Sequence, residues 1–215
     1  MMPPRTAPQK TLAEPTLYFA FGSNLWLSQM RTRCPSSAYL GVARLHGYTW
    51  IINERGYANV VESKARPIAN TKPDHVYGLV FRLDANDEAK LDKNEGVPIA
   101  YTKECLSVDF WAARGPNDSV DTTRPPTEVG QDMLVYIDRR RVTPSTPKDE
   151  YVYRINRGVE DAVRLGVPNA YIEGTVRRFV PAEEEGNKGR KSVEEVAKKQ
   201  AAGFVDKALG VDGES

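Results

Sequence analysis

Two short stretches of this chain carry residue types that could do chemistry. The first is LYFAFGSNL (residues 17–25), in which an apolar strand runs into Gly22, Ser23 and Asn24 and then into LWLSQMRTR, which reads as a helix. The first backbone N–H groups of a helix have no internal partner and stand at the positive end of its dipole. Such donors suit an anion or a carboxylate. Gly22 removes a Cβ from a ligand's path and permits a positive φ, and Ser23 or Asn24 is placed to cap the helix. The tripeptide is also ordinary turn chemistry, and no Lys follows it as in a phosphate-binding loop.

The second stretch is acidic. Asp84, Asp87, Glu88, Asp92 and Glu95 fall within DANDEAKLDKNEG (84–96). A solvated helix face accounts for most of them. Glu95 stands apart, because it falls at the C-terminal end of the expected helix, where the dipole disfavours negative charge. A carboxylate there, partly buried, has a raised pKa, and a general base works best with its pKa near the working pH. Tyr101, Tyr136, Tyr151 and Tyr153 could supply ligand hydroxyls, though each also fits a core or rim aromatic. Arg139, Arg140 and Arg141 read as a solvated loop end.

The elements that must position these residues follow from pattern. Strands are expected at 17–21, across 38–53 with a bend at Gly47, and at 57–63, 75–83, 100–111 and 131–137. Gly78, inside one of them, marks a bulge or a close backbone approach. A helix at 25–32 stops at Cys34-Pro35. Another spans 84–96, with Asp84 as N-cap, Asp87 at the third helical position and Gly96 as the stop. Val152, Ile155, Val159 and Val163 give helical spacing over 150–165, and a further helix starts at Pro168. Residues 112–130 and 141–150 read as loops. Strands come early, long helices come late and βα alternation is missing. The fold class is therefore α+β, with a mixed or antiparallel, barrel-like sheet and surrounding helices.

Bulk properties restrict the partners. The 215 residues carry 30 basic and 29 acidic side chains, a net charge of +1, which argues against a basic nucleic-acid-binding face. No apolar run approaches the roughly 20 residues of a membrane span, and the N-terminus has no secretory h-region. Cys34 and Cys105 are expected to be buried, reduced thiols of a cytoplasmic protein. With His46 and His75 equally scattered, no metal site is expected. Residues 1–15 read as a disordered arm. Residues 16–180 read as one domain. Residues 181–215 form a charged tail that can hold a helix at 190–209, with Val193, Val196, Ala197, Ala201, Phe204 and Ala208 as a stripe.

Taken together, LYFAFGSNL, VARLHGY (42–48), HVYGLVFRLD (75–84), LDKNEGV (91–97), Tyr101 and PSTPKDEYVYRI (144–155) resemble the γ-glutamylcyclotransferase family, across residues 16–180. Phe21 stands where the family usually has Tyr. Asn24 aligns the chain with the γ-glutamyl-amino-acid branch. The resemblance implies a small β-barrel with helices around it, no metal or cofactor, and a small-molecule γ-glutamyl substrate. It leaves a homodimer open. The reaction it implies is intramolecular: the α-amine of the γ-glutamyl group attacks its own γ-carbonyl, giving 5-oxoproline and a free amino acid or amine. The turn from Phe21 to Leu25 would bind the γ-glutamyl end through backbone N–H groups. Glu95 matches the family's catalytic Glu, and Tyr101 and Tyr151 match pocket positions. Two other readings compete. One is a relative specialised for glutathione conjugates, with the 112–130 loop and the 139–141 run shaping a wider pocket. The other is a binding module without turnover.

Overall fold

The computed structural model describes residues 15–63, 74–183 and 191–203. The first strand, β1 (Thr16–Ala20), is followed by a 3-10 turn at Ser23–Leu25 and helix α1 (Leu27–Arg33). Then come β2 (Ala38–His46), β3 (Tyr48–Ile52), β4 (Ala58–Glu62) and β5 (His75–Leu83). Helix α2 (Ala85–Asn94), β6 (Thr102–Ala112) and β7 (Glu128–Ile137) follow. Helices α3 (Asp149–Arg164), α4 (Asn169–Gly174) and α5 (Lys191–Ala202) complete the described chain.

Five strands close into a barrel in the order β1-β5-β2-β6-β7. All neighbours are antiparallel except β1 and β7, which meet in parallel at Tyr18 and Leu134. Closure removes the exposed sheet edges. The buried core around the barrel includes Phe19, Val42, Leu45, Leu79, Leu83, Met133 and Ile137, all nearly inaccessible to water. The expected α+β barrel is the observed one.

The 38–53 strand is two strands. Gly47 (φ 75°) breaks it, and β3 leaves the barrel to pair with β4 in a separate two-stranded sheet. Gly78 marks a close approach: a Cβ there would lie 2.4 Å from the Ala20 carbonyl oxygen and 2.8 Å from the Phe19 ring. The register shift in β2 lies elsewhere, between Tyr39 and Gly41. The 112–130 loop is shorter than expected because β7 already begins at Glu128.

Helix α2 keeps the expected caps. The Asp84 carboxylate accepts from the Asp87 amide at 2.7 Å. At the other end the Gly96 amide donates to the Lys93 carbonyl and the Val97 amide to that of Asp92. With Gly96 at φ 63°, this is a Schellman motif. Asp87 is not part of a solvated face. It is fully buried, accepting from the Ser36 amide at 2.7 Å and pairing with Lys90.

Helix α3 is held by its apolar stripe, with Tyr151, Ile155, Val159 and Ala162 buried. Helix α5 packs against α3 and α1, burying Ala197 and Ala201, while Val196 faces water. Phe204 and Ala208 of the expected stripe lie outside the described residues, as does the N-terminal arm apart from Pro15. Cys34 is buried as expected, but Cys105 is exposed. It falls on a β6 segment that alternates between half-buried and exposed positions.

Candidate active site

The turn after β1 does not build its site by helix capping. Neither Ser23 nor Asn24 caps α1. The helix starts later, at Leu27, and its first amide donates to Asp161 Oδ2 of α3 at 2.9 Å. Instead the turn is a single 3-10 turn closed by the Leu25 amide on the Gly22 carbonyl and the Trp26 amide on the Ser23 carbonyl. Gly22 has a negative φ of −108°, so it is there for space and not for a left-handed backbone.

The polar side chains released from capping turn inward. Asn24 uses both ends of its amide. Its Nδ2 donates to Glu95 Oε1 and to the Tyr18 hydroxyl, each at 2.9 Å. Its Oδ1 accepts from Gln29 Nε2 at 2.7 Å and Arg33 Nη1 at 3.2 Å. Ser23 Oγ accepts from Gln29 Nε2 and from Arg154 Nη1. The Schellman turn behind Glu95 sends the chain back toward β6 and leaves the carboxylate facing the Asn24 amide across 71 positions of sequence.

Ser23, Glu95, Tyr101 and Tyr151 line both lobes of a cleft. One lobe is completed by Tyr18, Phe21, Gly22, Asn24, Ala58 and Tyr136. The adjoining lobe is completed by Arg33, Tyr57, Asn94 and Arg154. Of the residues expected at the site, Phe21, Gly22, Ser23, Asn24, Glu95, Tyr101 and Tyr151 are thus brought together. Leu25 is not. Its side chain packs under Gly158 of α3, and its amide is taken by the turn's own hydrogen bond. Phe21 contributes its ring, and its carbonyl accepts from Trp50 Nε1 at 2.9 Å.

The two tyrosines clamp one residue, Ala58. The Tyr151 hydroxyl accepts from the Ser23 amide at 3.2 Å and the Ala58 amide at 3.1 Å. The Tyr101 hydroxyl donates to the Ala58 carbonyl at 2.9 Å. Two backbone donors therefore converge on the Tyr151 oxygen. With both acceptor positions of the Tyr151 oxygen occupied, its own proton is directed elsewhere. Burial holds all these phenols neutral, with Tyr151 pushed up to about 12. A Cβ at Gly22 would lie 2.9 Å from the Tyr151 hydroxyl and 3.2 Å from Ala58 Cβ. Gly22→Val is therefore expected to displace Tyr151 and lower stability by about 1–3 kcal/mol. Chemical denaturation beside Gly22→Ala checks this, and a native-like midpoint for the Val variant would show that Tyr151 moves freely.

Glu95 is the chemically poised group. Its side chain is 17% exposed, at the cleft. Burial raises its pKa above the ordinary carboxylate value. Arg33, the Asn24 hydrogen bond, Arg154 and Arg55 act the other way without cancelling the rise. Burial makes the shift. Oε1 is engaged by Asn24, and among the described residues Oε2 has no hydrogen-bond partner. That oxygen can take and return a proton.

Arg33, Gln29, Arg154 and Ala58 are site residues that the sequence reading misses. A signal exists for Arg154: it lies three positions after Tyr151, inside the buried stripe of α3, and is itself almost fully buried. Its guanidinium pairs with Glu150 and reaches Ser23. The features suggested for a wider pocket lie elsewhere. Arg139 is held by Glu62 and Glu104, and Arg141 by Asp138. The 113–127 loop covers a separate groove lined by Trp111, Arg114, Asp118 and Arg124, which shares no residue with the Glu95 cleft. No group of His, Cys, Asp and Glu among the described residues is arranged to hold a metal ion.

Comparison with known proteins places this geometry. The pattern of the family described as "Gamma-glutamyl cyclotransferase, AIG2-like" matches residues 18–154. The bovine protein named Gamma-glutamylcyclotransferase is 33% identical over 180 residues, covering 71% of this chain and 90% of that protein. The human protein of the same name is 34% identical over 86 residues, covering 39% of this chain and 46% of its own. A solved structure named Gamma-glutamyl cyclotransferase superimposes with a TM-score of 0.60 at 22% identity, over 86% of this chain and 99% of that one. This last likeness is one of fold.

Proposed function

The chain belongs to the gamma-glutamyl cyclotransferase, AIG2-like family, and we propose on that basis that it cyclises the γ-glutamyl group of γ-glutamyl amino acids or peptides. The products are 5-oxoproline and a free amino acid or amine. The observation that carries this reading is the Glu95 carboxylate, held by Asn24 of the turn and lining the same cleft as Gly22, Ser23, Tyr101 and Tyr151.

The nucleophile is already part of the substrate, so the protein's work is orientation and proton transfer. Glu95 Oε2 takes a proton from the attacking ammonium. The nitrogen closes on the γ-carbonyl carbon, and negative charge develops on the carbonyl oxygen. The Gly22 and Asn24 amides of the turn, with the O–H of Tyr151 whose oxygen the Ser23 and Ala58 amides hold, are the groups proposed to receive that charge or the substrate's α-carboxylate. As the tetrahedral centre collapses, the carbon–nitrogen bond to the leaving amine breaks and Glu95 returns the proton to it; the ring nitrogen's second proton follows by the same carboxylate, so the lactam leaves neutral and the amine leaves as an ammonium. No water is consumed. Tyr101 acts through the Ala58 peptide that it holds.

The cleft favours simple γ-glutamyl substrates over bulky conjugates, because neither the 113–127 loop nor the Arg139 run lines it. Among the described residues no helix is long and apolar enough to cross a membrane.

The test is to incubate the purified protein with γ-glutamyl-alanine and measure 5-oxoproline and alanine. Equal release of both is expected. The acid limb of kcat/KM against pH should lie above the ordinary Glu range. The working form is ionised Glu95, whose pKa burial raises, so activity is lost as pH falls through that raised value. Absence of 5-oxoproline from every γ-glutamyl dipeptide tried would leave a binding module.

A further inference from the structure

Arg33 joins the C-terminal helix to the cleft. It is the last residue of α1, and its side chain is 2% exposed. Its Nε donates to the Ala201 carbonyl and its Nη2 to the Gln200 carbonyl, both at 2.9 Å. These belong to the last turn of α5, at the negative end of its dipole. The remaining nitrogen, Nη1, donates to Asn24 Oδ1 at 3.2 Å and lies 3.7 Å from Glu95 Oε1. One planar group thus reads a helix end on one edge and the reacting carboxylate's surroundings on the other. A Lys could not do both, since it lacks the fixed fork.

We propose that α5 is a working part of the active site, and that its last-turn carbonyls fix Arg33 so that the guanidinium aligns the Asn24 amide and the Glu95 carboxylate. Arg33 is then a positioning residue. Burial lowers its pKa to about 10, which leaves it a cation at neutral pH. The other charged and titratable groups facing Glu95 are Arg154 from α3, Arg55 from the β3–β4 turn, Cys34 at the end of α1, and the phenols of Tyr18, Tyr101, Tyr136 and Tyr151. Arg33 is the cation with the largest effect among them. Disruption of the last turn of α5 removes two acceptors from a buried guanidinium, which then turns toward water. Glu95 loses its nearest cation, and Asn24 loses one of the two donors on its Oδ1.

This assignment rests on the proposed role of Glu95, but its test does not need turnover. The full-length chain, labelled with 13C at glutamate side-chain carboxyls, is titrated by NMR, and the Glu95 signal is identified by its loss in Glu95→Gln. Lys199→Pro breaks the last turn of α5 from an exposed position, and Lys199→Ala controls for loss of the side chain. Glu95 should titrate about one unit or more higher in Lys199→Pro and in Arg33→Met, since a cation within about 4–6 Å holds a carboxylate down by that amount. The double variant should match Arg33→Met alone, and Lys199→Ala should match the wild type. If turnover is present, the acid limb of kcat/KM should move up in parallel. An unchanged or lowered Glu95 titration in Lys199→Pro, or additive shifts in the double variant, would overturn the link. A shifted titration in a protein that forms no 5-oxoproline would keep the link and remove the proposed reaction instead.

Discussion

Glu95→Gln is expected to lower 5-oxoproline formation by about a hundredfold or more while the protein still folds. The new amide has the shape of the carboxylate and keeps an oxygen for Asn24 Nδ2, now 2.9 Å from Glu95 Oε1. It cannot accept a proton from the attacking ammonium, so both proton transfers lose their carrier. Arg33 loses the carboxylate at 3.7 Å, which lowers stability, but it keeps its hydrogen bonds to Ala201, Gln200 and Asn24, so the fold should be retained. Turnover of γ-glutamyl-alanine and a thermal melt, measured on the same preparation, check both halves. Near-normal turnover in a folded variant would sink the assignment of Glu95.

Asn24→Asp should be nearly as damaging, for an electrostatic reason. The substitution is almost isosteric, and one oxygen still accepts from Gln29 and Arg33. The other now faces Glu95 where an N–H donor stood. Two carboxylates at that distance cannot both ionise at neutral pH, so they share a proton. The free base that the reaction needs is then scarce, and turnover at neutral pH should fall by about a hundredfold. The sign of the pH dependence follows. The shared proton leaves only at higher pH, so the acid limb moves upward and activity partly returns under alkaline conditions. Asn24→Ala separates the charge from the lost hydrogen bonds, since it removes the Asn24 partners of Gln29 and Arg33 without adding a carboxylate. A pH profile for Asn24→Asp that coincides with that of the wild type would show that the Asn24 amide does not touch the working form of Glu95.

Much of the site is legible in the sequence because its signals are local. The caps of α2 are formed by Asp84, Asp87 and Gly96 within one short stretch. The apolar run of β5 and the helical spacing of α3 are likewise short-range patterns. The Gly-Ser-Asn turn and the Glu-Gly-Val stretch are recognisable by type and order, and Tyr151 and Tyr101 come with them. Local reasoning fails where a residue has two ways to satisfy its polar atoms. Ser23 and Asn24 are good caps, yet the cap of α1 comes from Asp161, 134 positions away. Asp87 fits a solvated face, yet it is buried under Ser36.

Periodicity and turn chemistry over a few residues are enough to specify the element types, the α+β class and the two stretches that meet at the cleft. They do not specify that β1 and β7 close the barrel, that β3 and β4 leave it, or that Leu25 faces α3. Nor do they place Arg33 and Arg154, both buried, beside Glu95. Those outcomes turn on contacts between distant segments, and a buried charge is tolerated only where such contacts supply its partners. No local pattern states where those partners will be.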